Sequence, residues 1–293
     1  MMDAPVARWW EAGNDEAVIC RLCPRQCRIA HGQTGYCGVR INAEGTLRTL
    51  AYGRPISVAI DPIEKKPLAR FLPKSKVFSL GTYGCNLGCL FCQNDSLSRA
   101  CYSDADAPLY VPPEHIVELA QRHGCPSIAY TYNEPTVFAE YVCDIAREAH
   151  QAGLKNVLVS NGFISPEAAN DLYPLMDAAN IDMKGFSDHF YQKMCGGNLA
   201  PVLESLETLR RLNVHLEVTT LVIPGQNDDL TEISAWLDWV ESYLDLETPL
   251  HFSAYHPAYR CHLPPTPVAT LLAIRDLAIK RGFTNVFLGN VAL

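Results

Sequence analysis

The chain has 293 residues, of which 48% are hydrophobic and 19% are charged, and its formal net charge is -8. A chain of this length and composition can bury the core of a single α/β domain. Because the net charge is negative, no general attraction to nucleic acid or to an anionic membrane surface is expected, and we predict neither as a partner.

The first residues, MMDAPVARWWEAGNDEAV, carry acidic side chains where a signal peptide needs a basic start. No apolar run in the chain reaches the length that spans a bilayer. We therefore expect a cytoplasmic protein. In a reducing cytosol the 12 cysteines should be free thiols or metal ligands and should not form disulfides.

Residues 1–75 are predicted to form a small cysteine-rich module and a connecting arm. Four cysteines lie close together at its start, at positions Cys20, Cys23, Cys27 and Cys37. Four thiolates suit either structural zinc or a closed second iron-sulfur cluster. A small segment with little apolar content needs such a metal site to stabilise its fold. The prolines of the run TLRTLAYGRPISVAIDPIEKKPLARFLP predict a short strand pair followed by an arm.

Residues 76–293 alternate short β-rich runs with helical patterns. Seven runs predict strands: KVFSLGT, SIAYTY, KNVLVSNG, ANIDMKG, HLEVTTLVIPG, LHFSAYHP and NVFLGN. Such alternation predicts parallel strands joined by right-handed helical crossovers, in an open sheet or in a complete or partial barrel. No glycine-rich phosphate loop follows the first run, which argues against a nucleotide-binding sheet. We therefore predict an α/β barrel fold for residues 76–293.

Polar motifs recur where the predicted strands end. They are CNLGCLFC, YNEP, SNG, DMK, PGQND and YHP. In α/β barrels the carboxyl ends of the strands form the rim at which active sites are assembled. We therefore expect these six segments to converge on one pocket.

The first of these motifs, CNLGCLFC, has cysteines at a spacing that suggests metal binding. Cys85, Cys89 and Cys92 are separated by three and then two residues in the loop GCNLGCLFCQN. A four-iron four-sulfur cluster takes one cysteine for each iron, so three thiolates leave one iron open to a substrate or cofactor. A zinc site completed by a distant residue such as Cys101 is the alternative that spacing alone leaves open.

With Phe91 directly before its last cysteine, the motif resembles the signature of the radical S-adenosylmethionine (radical SAM) enzymes. The wider run DPIEKKPLARFLPKSKVFSLGTYGCNLGCLFCQN resembles more specifically the radical SAM enzymes of the AmmeMemoRadiSam system, relatives of the pyruvate formate-lyase activating enzymes. The resemblance implies a partial (β/α) barrel with a [4Fe-4S] cluster on Cys85, Cys89 and Cys92. It also implies reductive cleavage of S-adenosylmethionine to a 5'-deoxyadenosyl radical, which abstracts hydrogen from a small molecule or a protein residue.

The same resemblance implies a set of cofactor-binding residues. Glu134 matches the position that binds the amino group, while serine, asparagine and aspartate at neighbouring strand ends suit ribose hydroxyls and Lys184 suits the carboxylate. A strand-to-helix turn, an Asn-Gly turn, and a solvated Asp and Lys at a strand end are the plain structural alternatives. The complete set is Asn133, Glu134, Ser160, Asn161, Asp182 and Lys184.

Cys195, which precedes Gly196 and Gly197, matches a cysteine of the family pattern and is predicted to take part in the radical reaction. The resemblance further implies a flavodoxin or ferredoxin as electron donor, and Memo and AMMECR-type proteins as partners. Two other functions stay open. The chain could be a zinc-stabilised binding protein, or an iron-sulfur electron carrier without SAM chemistry.

Overall fold

A computed structural model of the chain describes residues 4–103 and 105–291. Its N-terminal part contains two small antiparallel sheets. The first has the order β1-β2-β3, formed by Trp10–Ala12, Val18–Cys20 and Arg28–Ile29. The second is a hairpin of β4 (Arg40–Ala43) and β5 (Thr46–Thr49). Its two turn residues, Glu44 and Gly45, have positive φ angles, as the tight turns of such hairpins require.

The main sheet has eight strands in the order β13-β12-β11-β10-β9-β8-β7-β6. Its first strand, β6 (Ser57–Pro62), is antiparallel to β7. The other seven are parallel: β7 (Lys76–Gly81), β8 (Ser127–Tyr130), β9 (Lys155–Ser160), β10 (Ala178–Asp182), β11 (His215–Val222), β12 (Leu250–Ala254) and β13 (Val286–Gly289). All seven strands predicted from the sequence are confirmed.

The arm before residue 76 differs in one respect from its prediction. We expected a strand pair within it, but β5 pairs with β4, and β6 joins the edge of the main sheet. The predicted boundary at residue 75 therefore falls between two hydrogen-bonded strands. Within the described residues β6 and β13 do not pair with each other, so the sheet stays open and the predicted partial barrel is confirmed.

Helices connect the parallel strands and cover the outer face of the sheet. They are α1 (Asp95–Ser98), α2 (Pro113–Arg122), α3 (Ala139–Gln151), α4 (Pro166–Leu172), α5 (Asp188–Phe190), α6 (Ala200–Arg211), α7 (Leu230–Tyr243) and α8 (Val268–Lys280). Proline begins α2 and α4, where its missing N–H costs no hydrogen bond. Every residue of β8 is buried, as expected of a central strand covered on both faces.

The connecting arm is held against the sheet by Glu217, a fully buried residue of β11. Its carboxylate accepts hydrogen bonds from the backbone N–H groups of Ala69 (2.9 Å) and Arg70 (2.8 Å). It also pairs with the ring Nε2 atoms of His215 (2.9 Å) and His251 (2.6 Å). Burial acts to raise the pKa of Glu217, but these hydrogen bonds lower it to about 2. His251 is thus a structural residue.

The low pKa of Glu217 makes the stability of the fold depend on acid. Since the folded-state pKa lies below the ordinary value of 4.5, the stabilisation is complete above about pH 4.5 and is lost as the pH falls toward 2. Its size is about 3 kcal/mol. We expect Glu217→Gln to be less stable at neutral pH and less sensitive to acid, as measured by urea unfolding across this window. The exposed Glu207→Gln is the control, and an unchanged acid sensitivity in Glu217→Gln would contradict the assignment.

Candidate active site

The loop that follows β7 brings Cys85, Cys89 and Cys92 to the carboxyl ends of the parallel strands. The three free thiols line a cleft of about 690 Å³, within the usual size range of small-molecule sites. Five of the predicted cofactor-binding residues line the same cleft: Asn133, Glu134, Asn161, Asp182 and Lys184. Ser160 and Cys195 lie behind its wall.

Asn133 shapes the loop that carries the first cysteine. Its side-chain nitrogen donates to the carbonyl oxygen of Gly84 (3.0 Å) and to the hydroxyl of Thr82 (3.2 Å). Its side-chain oxygen accepts the backbone N–H of Thr82 (2.8 Å). These bonds fix the backbone immediately before Cys85, so Asn133 acts on the loop although it also borders the cleft.

Glu134 caps a short helical turn that starts at Pro135, as the alternative interpretation of the Asn-Glu-Pro motif predicted. One carboxylate oxygen accepts the backbone N–H of Thr136 (2.9 Å) and the hydroxyl of Ser160 (2.7 Å), and the other accepts the backbone N–H of Asn161 (2.9 Å). Burial raises the pKa of Glu134 and these hydrogen bonds oppose that rise. The carboxylate is therefore both a structural cap and part of the cleft wall.

Asn161 joins the end of β9 to the cysteine loop. Its side-chain nitrogen donates to the side-chain oxygen of Asn86 (3.0 Å) and lies 3.8 Å from the Sγ atom of Cys85. Asn86 in turn donates to the carbonyl oxygen of Phe163 (2.6 Å). Sequence reasoning overlooked Asn86, although its place between the first two cysteines of the motif was a signal available to it.

Asp182 and Lys184 form an ion pair at the end of β10, with 2.7 Å between Oδ2 and Nζ. Burial acts to lower the pKa of Lys184, but the neighbouring Asp182 and Cys89 raise it above its ordinary value. Lys184 therefore stays a cation at neutral pH. A positive charge beside the thiol of Cys89 favours the thiolate, the form in which cysteine binds a metal.

Cys195 lies directly behind the cysteine loop, at the end of a π-helical turn formed by Tyr191–Cys195. Its carbonyl oxygen accepts a hydrogen bond from the backbone N–H of Gly88 (2.7 Å). The carbonyl oxygen of Met194 accepts a hydrogen bond from the backbone N–H of Leu90 (2.9 Å). The fully buried Cys195 thiol lies beside Cys89 and acts to lower the pKa of the Cys89 thiol. The turn thus holds Cys89 from both sides.

The four N-terminal cysteines line a second cavity together with the buried Arg40. Among the described residues, no three His, Cys, Asp or Glu side chains are placed to hold a single metal ion, either here or in the cleft. A cubane cluster gives each cysteine its own iron, so its ligands surround a space and do not meet at one point. Cys85, Cys89 and Cys92 line a shared space of this kind, the cleft of about 690 Å³.

Gly84 allows the cysteine loop to approach the N-terminal module. Its φ angle is +85°, and a Cβ atom there would lie 2.6 Å from the carbonyl oxygen of Cys37. We expect Gly84→Ala to lose iron on reconstitution and to be about 1–3 kcal/mol less stable than Gly124→Ala. Gly124 is the matched control, because it has a φ of +63° and open space around it. Equal iron content and stability in the two variants would contradict this role.

The model of the Radical SAM superfamily matches residues 79–237, which is more than half of the chain. The chain belongs to this superfamily. Membership implies a [4Fe-4S] cluster, S-adenosylmethionine as cofactor and radical chemistry that depends on it. The matched segment begins in β7 and contains the three-cysteine loop and the ends of the next strands.

Relatives of the chain include one of similar length and others that are activating enzymes. Uncharacterized protein MJ0808 of Methanocaldococcus jannaschii is 44% identical, over 97% of this chain and 85% of that protein. Pyruvate formate-lyase 1-activating enzyme of Escherichia coli is 25% identical, over 50% of this chain and 61% of its own length. Benzylsuccinate synthase activating enzyme of Thauera aromatica is 24% identical, over 41% of this chain and 36% of its own length.

Solved structures support the fold. The structure of Streptococcus suis SuiB bound to S-adenosylmethionine is similar to this chain, with a TM-score of 0.55 and 13% identity, over 73% of this chain and 50% of that chain. A radical SAM methyltransferase from Sphaerobacter thermophilus has a TM-score of 0.54 and 16% identity, covering 74% of this chain and 67% of its own. Among the described helices, none combines the length and the apolar character needed to cross a bilayer.

Proposed function

We propose that this chain uses a cluster on Cys85, Cys89 and Cys92 to cleave S-adenosylmethionine reductively, giving methionine and a 5'-deoxyadenosyl radical that abstracts hydrogen from a substrate. The observation that carries the proposal is that the three thiols share one cleft with Glu134 and Lys184. Three protein ligands leave the fourth iron free to bind the cofactor.

Four polar residues of the cleft have matching roles toward the cofactor: Glu134, Asn161, Asp182 and Lys184. The Glu134 carboxylate suits a cationic amino group, and the Lys184 ammonium suits a carboxylate. Asp182 and Asn161 offer an acceptor and a donor for ribose hydroxyls. Ser160 holds Glu134 in place from behind, since its hydroxyl donates to that carboxylate. We propose these roles together because all but Ser160 border the same space.

The substrate class can be tested by following the abstracted hydrogen. An extract from cells grown in deuterated medium is separated by ultrafiltration into a protein fraction and a small-molecule fraction, and each is added to the reduced, reconstituted enzyme with unlabelled S-adenosylmethionine. The fraction that contains the substrate should transfer deuterium to 5'-deoxyadenosine, as detected by mass spectrometry. Formation of 5'-deoxyadenosine without deuterium from either fraction would contradict hydrogen abstraction from a cellular substrate.

Cys195 is the proposed further participant in the radical reaction. Its thiol reaches the cluster loop through Cys89 and does not border the cleft, so an effect on the reaction would act through the cluster. We expect Cys195→Ala to lower product formation. An unchanged rate in that variant would rule the participation out.

The finer assignment to the AmmeMemoRadiSam system is part of the proposal and depends on the run from Asp61 to Asn94. With it come Memo and AMMECR-type proteins as partners, and a flavodoxin or ferredoxin as electron donor. A zinc-stabilised binding protein would be colourless after anaerobic preparation, and an electron carrier would be coloured without consuming S-adenosylmethionine. Absorption spectra and cofactor consumption therefore separate the three functions.

A further inference from the structure

We infer that the substrate is a small organic anion, a carboxylate or a phosphate, and that Lys66 and Thr219 bind it inside the cleft. The inference rests on the proposed function, because it names the substrate class of the same site. It starts from a buried lysine and a buried hydroxyl that border the cleft and have no part in the proposed binding of S-adenosylmethionine.

The connecting arm supplies one wall of the cleft. Lys65, Lys66 and Pro67 border the cleft, and the carbonyl oxygen of Pro67 accepts a hydrogen bond from the side chain of Asn180 on β10 (2.7 Å). The next residue, Leu68, is fully buried against side chains of β7, β8, β9 and β10. These contacts fix the arm across the sheet, so the fold itself sets the position of Lys66.

Lys66 has an ammonium group with hydrogen-bonding capacity to spare. Its side chain is 2% exposed, and its Nζ atom donates to Oδ2 of Asp61 (2.5 Å) and lies 4.8 Å from the centre of the Tyr132 ring. Asp61 is the only hydrogen-bond acceptor of this ammonium among the described residues, although an ammonium has three N–H donors. Because a buried donor without an acceptor is costly, Lys66 is suited to donate to a molecule in the cleft.

The charges around Lys66 leave an excess of one positive charge. The Asp61 carboxylate accepts hydrogen bonds from the ammonium groups of both Lys65 (2.9 Å) and Lys66, and from the hydroxyl of Tyr132 (2.6 Å). Burial acts to raise the pKa of Asp61, but these hydrogen bonds lower it, so one anion serves two cations at neutral pH. Glu64, the acidic residue next to them, is exposed, and its carboxylate accepts a backbone N–H of the arm. The group formed by Asp61, Lys65 and Lys66 therefore attracts an anion.

Tyr132 adopts a strained backbone conformation beside this group. Its φ angle is +72°, in the left-handed region, which is rare for a bulky side chain. In this conformation its ring lies next to the Lys66 ammonium and its hydroxyl donates to Asp61. Backbone strain of this kind clusters at binding and catalytic sites. Tyr132 also borders the cleft, so the strained residue is one that contacts the proposed anion-binding lysine.

Thr219 of β11 gives the cleft a second free hydrogen-bonding group. The residue is 9% exposed, and its hydroxyl has no hydrogen-bond partner among the described residues. Of the unpartnered buried hydroxyls in the described part of the chain, this is the one that borders the cleft. Buried hydroxyls are nearly always hydrogen-bonded, and an oxygen of a bound molecule would satisfy this one. Lys66 and Thr219 are therefore suited to bind polar groups of one molecule.

Binding of simple anions tests the site without cleavage of S-adenosylmethionine. The reconstituted protein is kept oxidised, and its affinities for inorganic phosphate and for acetate are measured by nuclear magnetic resonance line broadening, before and after S-adenosylmethionine is added. Wild type should bind at least one of the two anions, and Lys66→Met should bind it at least about tenfold more weakly. Equal binding by wild type and Lys66→Met, no binding of either anion, or displacement of the anion by S-adenosylmethionine would overturn the inference.

Two lysine controls accompany this measurement. Lys66→Arg keeps the positive charge and should bind the anion more tightly than Lys66→Met does. Lys280→Met removes an exposed lysine at the end of α8 and should bind the anion as wild type does. Equally weak binding by Lys280→Met and Lys66→Met would contradict a specific site and overturn the inference.

Thr219→Val tests the site with a change that breaks no described side-chain hydrogen bond. Valine has nearly the same shape, so the fold should be kept, and anion binding should weaken about threefold because one hydrogen bond is lost. Unchanged binding would remove Thr219 from the site. It would overturn the whole inference if circular dichroism shows that Lys66→Met is not folded.

Deuterium transfer then tests whether the bound anion is the substrate. The small-molecule fraction of the deuterated extract is passed over an anion-exchange resin, and the retained part should transfer deuterium to 5'-deoxyadenosine. Transfer only from the unretained part or from the protein fraction would overturn the inference. A wild type that forms no 5'-deoxyadenosine contradicts the proposed function instead, and the anion-binding measurement still decides whether Lys66 and Thr219 form a site.

Discussion

Replacing Glu140 by alanine is expected to lower the free energy of unfolding by about 3–5 kcal/mol. Glu140 lies on α3 of the barrel, and its carboxylate pairs with Arg40 of the N-terminal hairpin at 3.0 Å. The Arg40 and Glu140 side chains are 1% and 6% exposed. Alanine would leave the guanidinium buried without its counterion, and would also remove the acceptor of the Arg8 backbone N–H (2.8 Å).

Urea unfolding of wild type and variant measures this loss. Glu148→Ala on the same helix is the matched control, because Glu148 is exposed, and we expect its effect to be within about 0.5 kcal/mol. An effect of Glu140→Ala as small as that of Glu148→Ala would contradict the role of the pair.

The second large effect is expected at Glu134. Alanine at this position should lower the rate of 5'-deoxyadenosine formation by about 100-fold, the scale seen when one preorganised electrostatic contact is removed. The substitution leaves the donors of Thr136, Ser160 and Asn161 without their acceptor. It also frees Asn161, whose side chain lies 3.8 Å from the sulfur of Cys85.

Glu134→Gln separates the charge of this residue from its shape. Glutamine keeps an acceptor for two of the three donors, so we expect normal iron content and a folded protein with weakened binding of S-adenosylmethionine. Binding is measured by equilibrium dialysis, and cleavage by chromatography after reduction. Wild-type binding and cleavage in both Glu134 variants would contradict the assignment of the amino-group site.

The parallel strands could be predicted because each combines a buried β-rich run with a polar motif at its end, as in Ser127–Tyr130 followed by YNEP. The antiparallel β6 could not be assigned to the sheet, since its pairing with β7 depends on the path of the chain between them. Pro62 is typical of an edge strand, but Val58 and Ile60 are apolar and yet exposed, so the residues of β6 did not reveal its neighbour. Local sequence thus predicts strands better than it predicts their neighbours.

In the candidate site, too, the residues were easier to predict from local sequence than the contacts between them. The spacing of Cys85, Cys89 and Cys92 and the ends of β8, β9 and β10 predicted residues that border the cleft, whereas the PGQND and YHP segments, which were expected to join them, do not line it. The bonds of Asn133 to Thr82 and Gly84 and the contact of Cys195 with the loop were beyond prediction, because they join segments far apart in the chain. The pairing of Arg40 with Glu140 is another such contact.

The most direct measurement is 5'-deoxyadenosine after anaerobic reconstitution with iron and sulfide, reduction with dithionite and addition of S-adenosylmethionine. Wild type is compared with Cys89→Ala and with Cys125→Ala, which removes a buried cysteine that does not border the cleft. We expect the product from wild type and Cys125→Ala and none from Cys89→Ala. A colourless wild-type protein that binds zinc and forms no 5'-deoxyadenosine would contradict a radical enzyme built on these three cysteines.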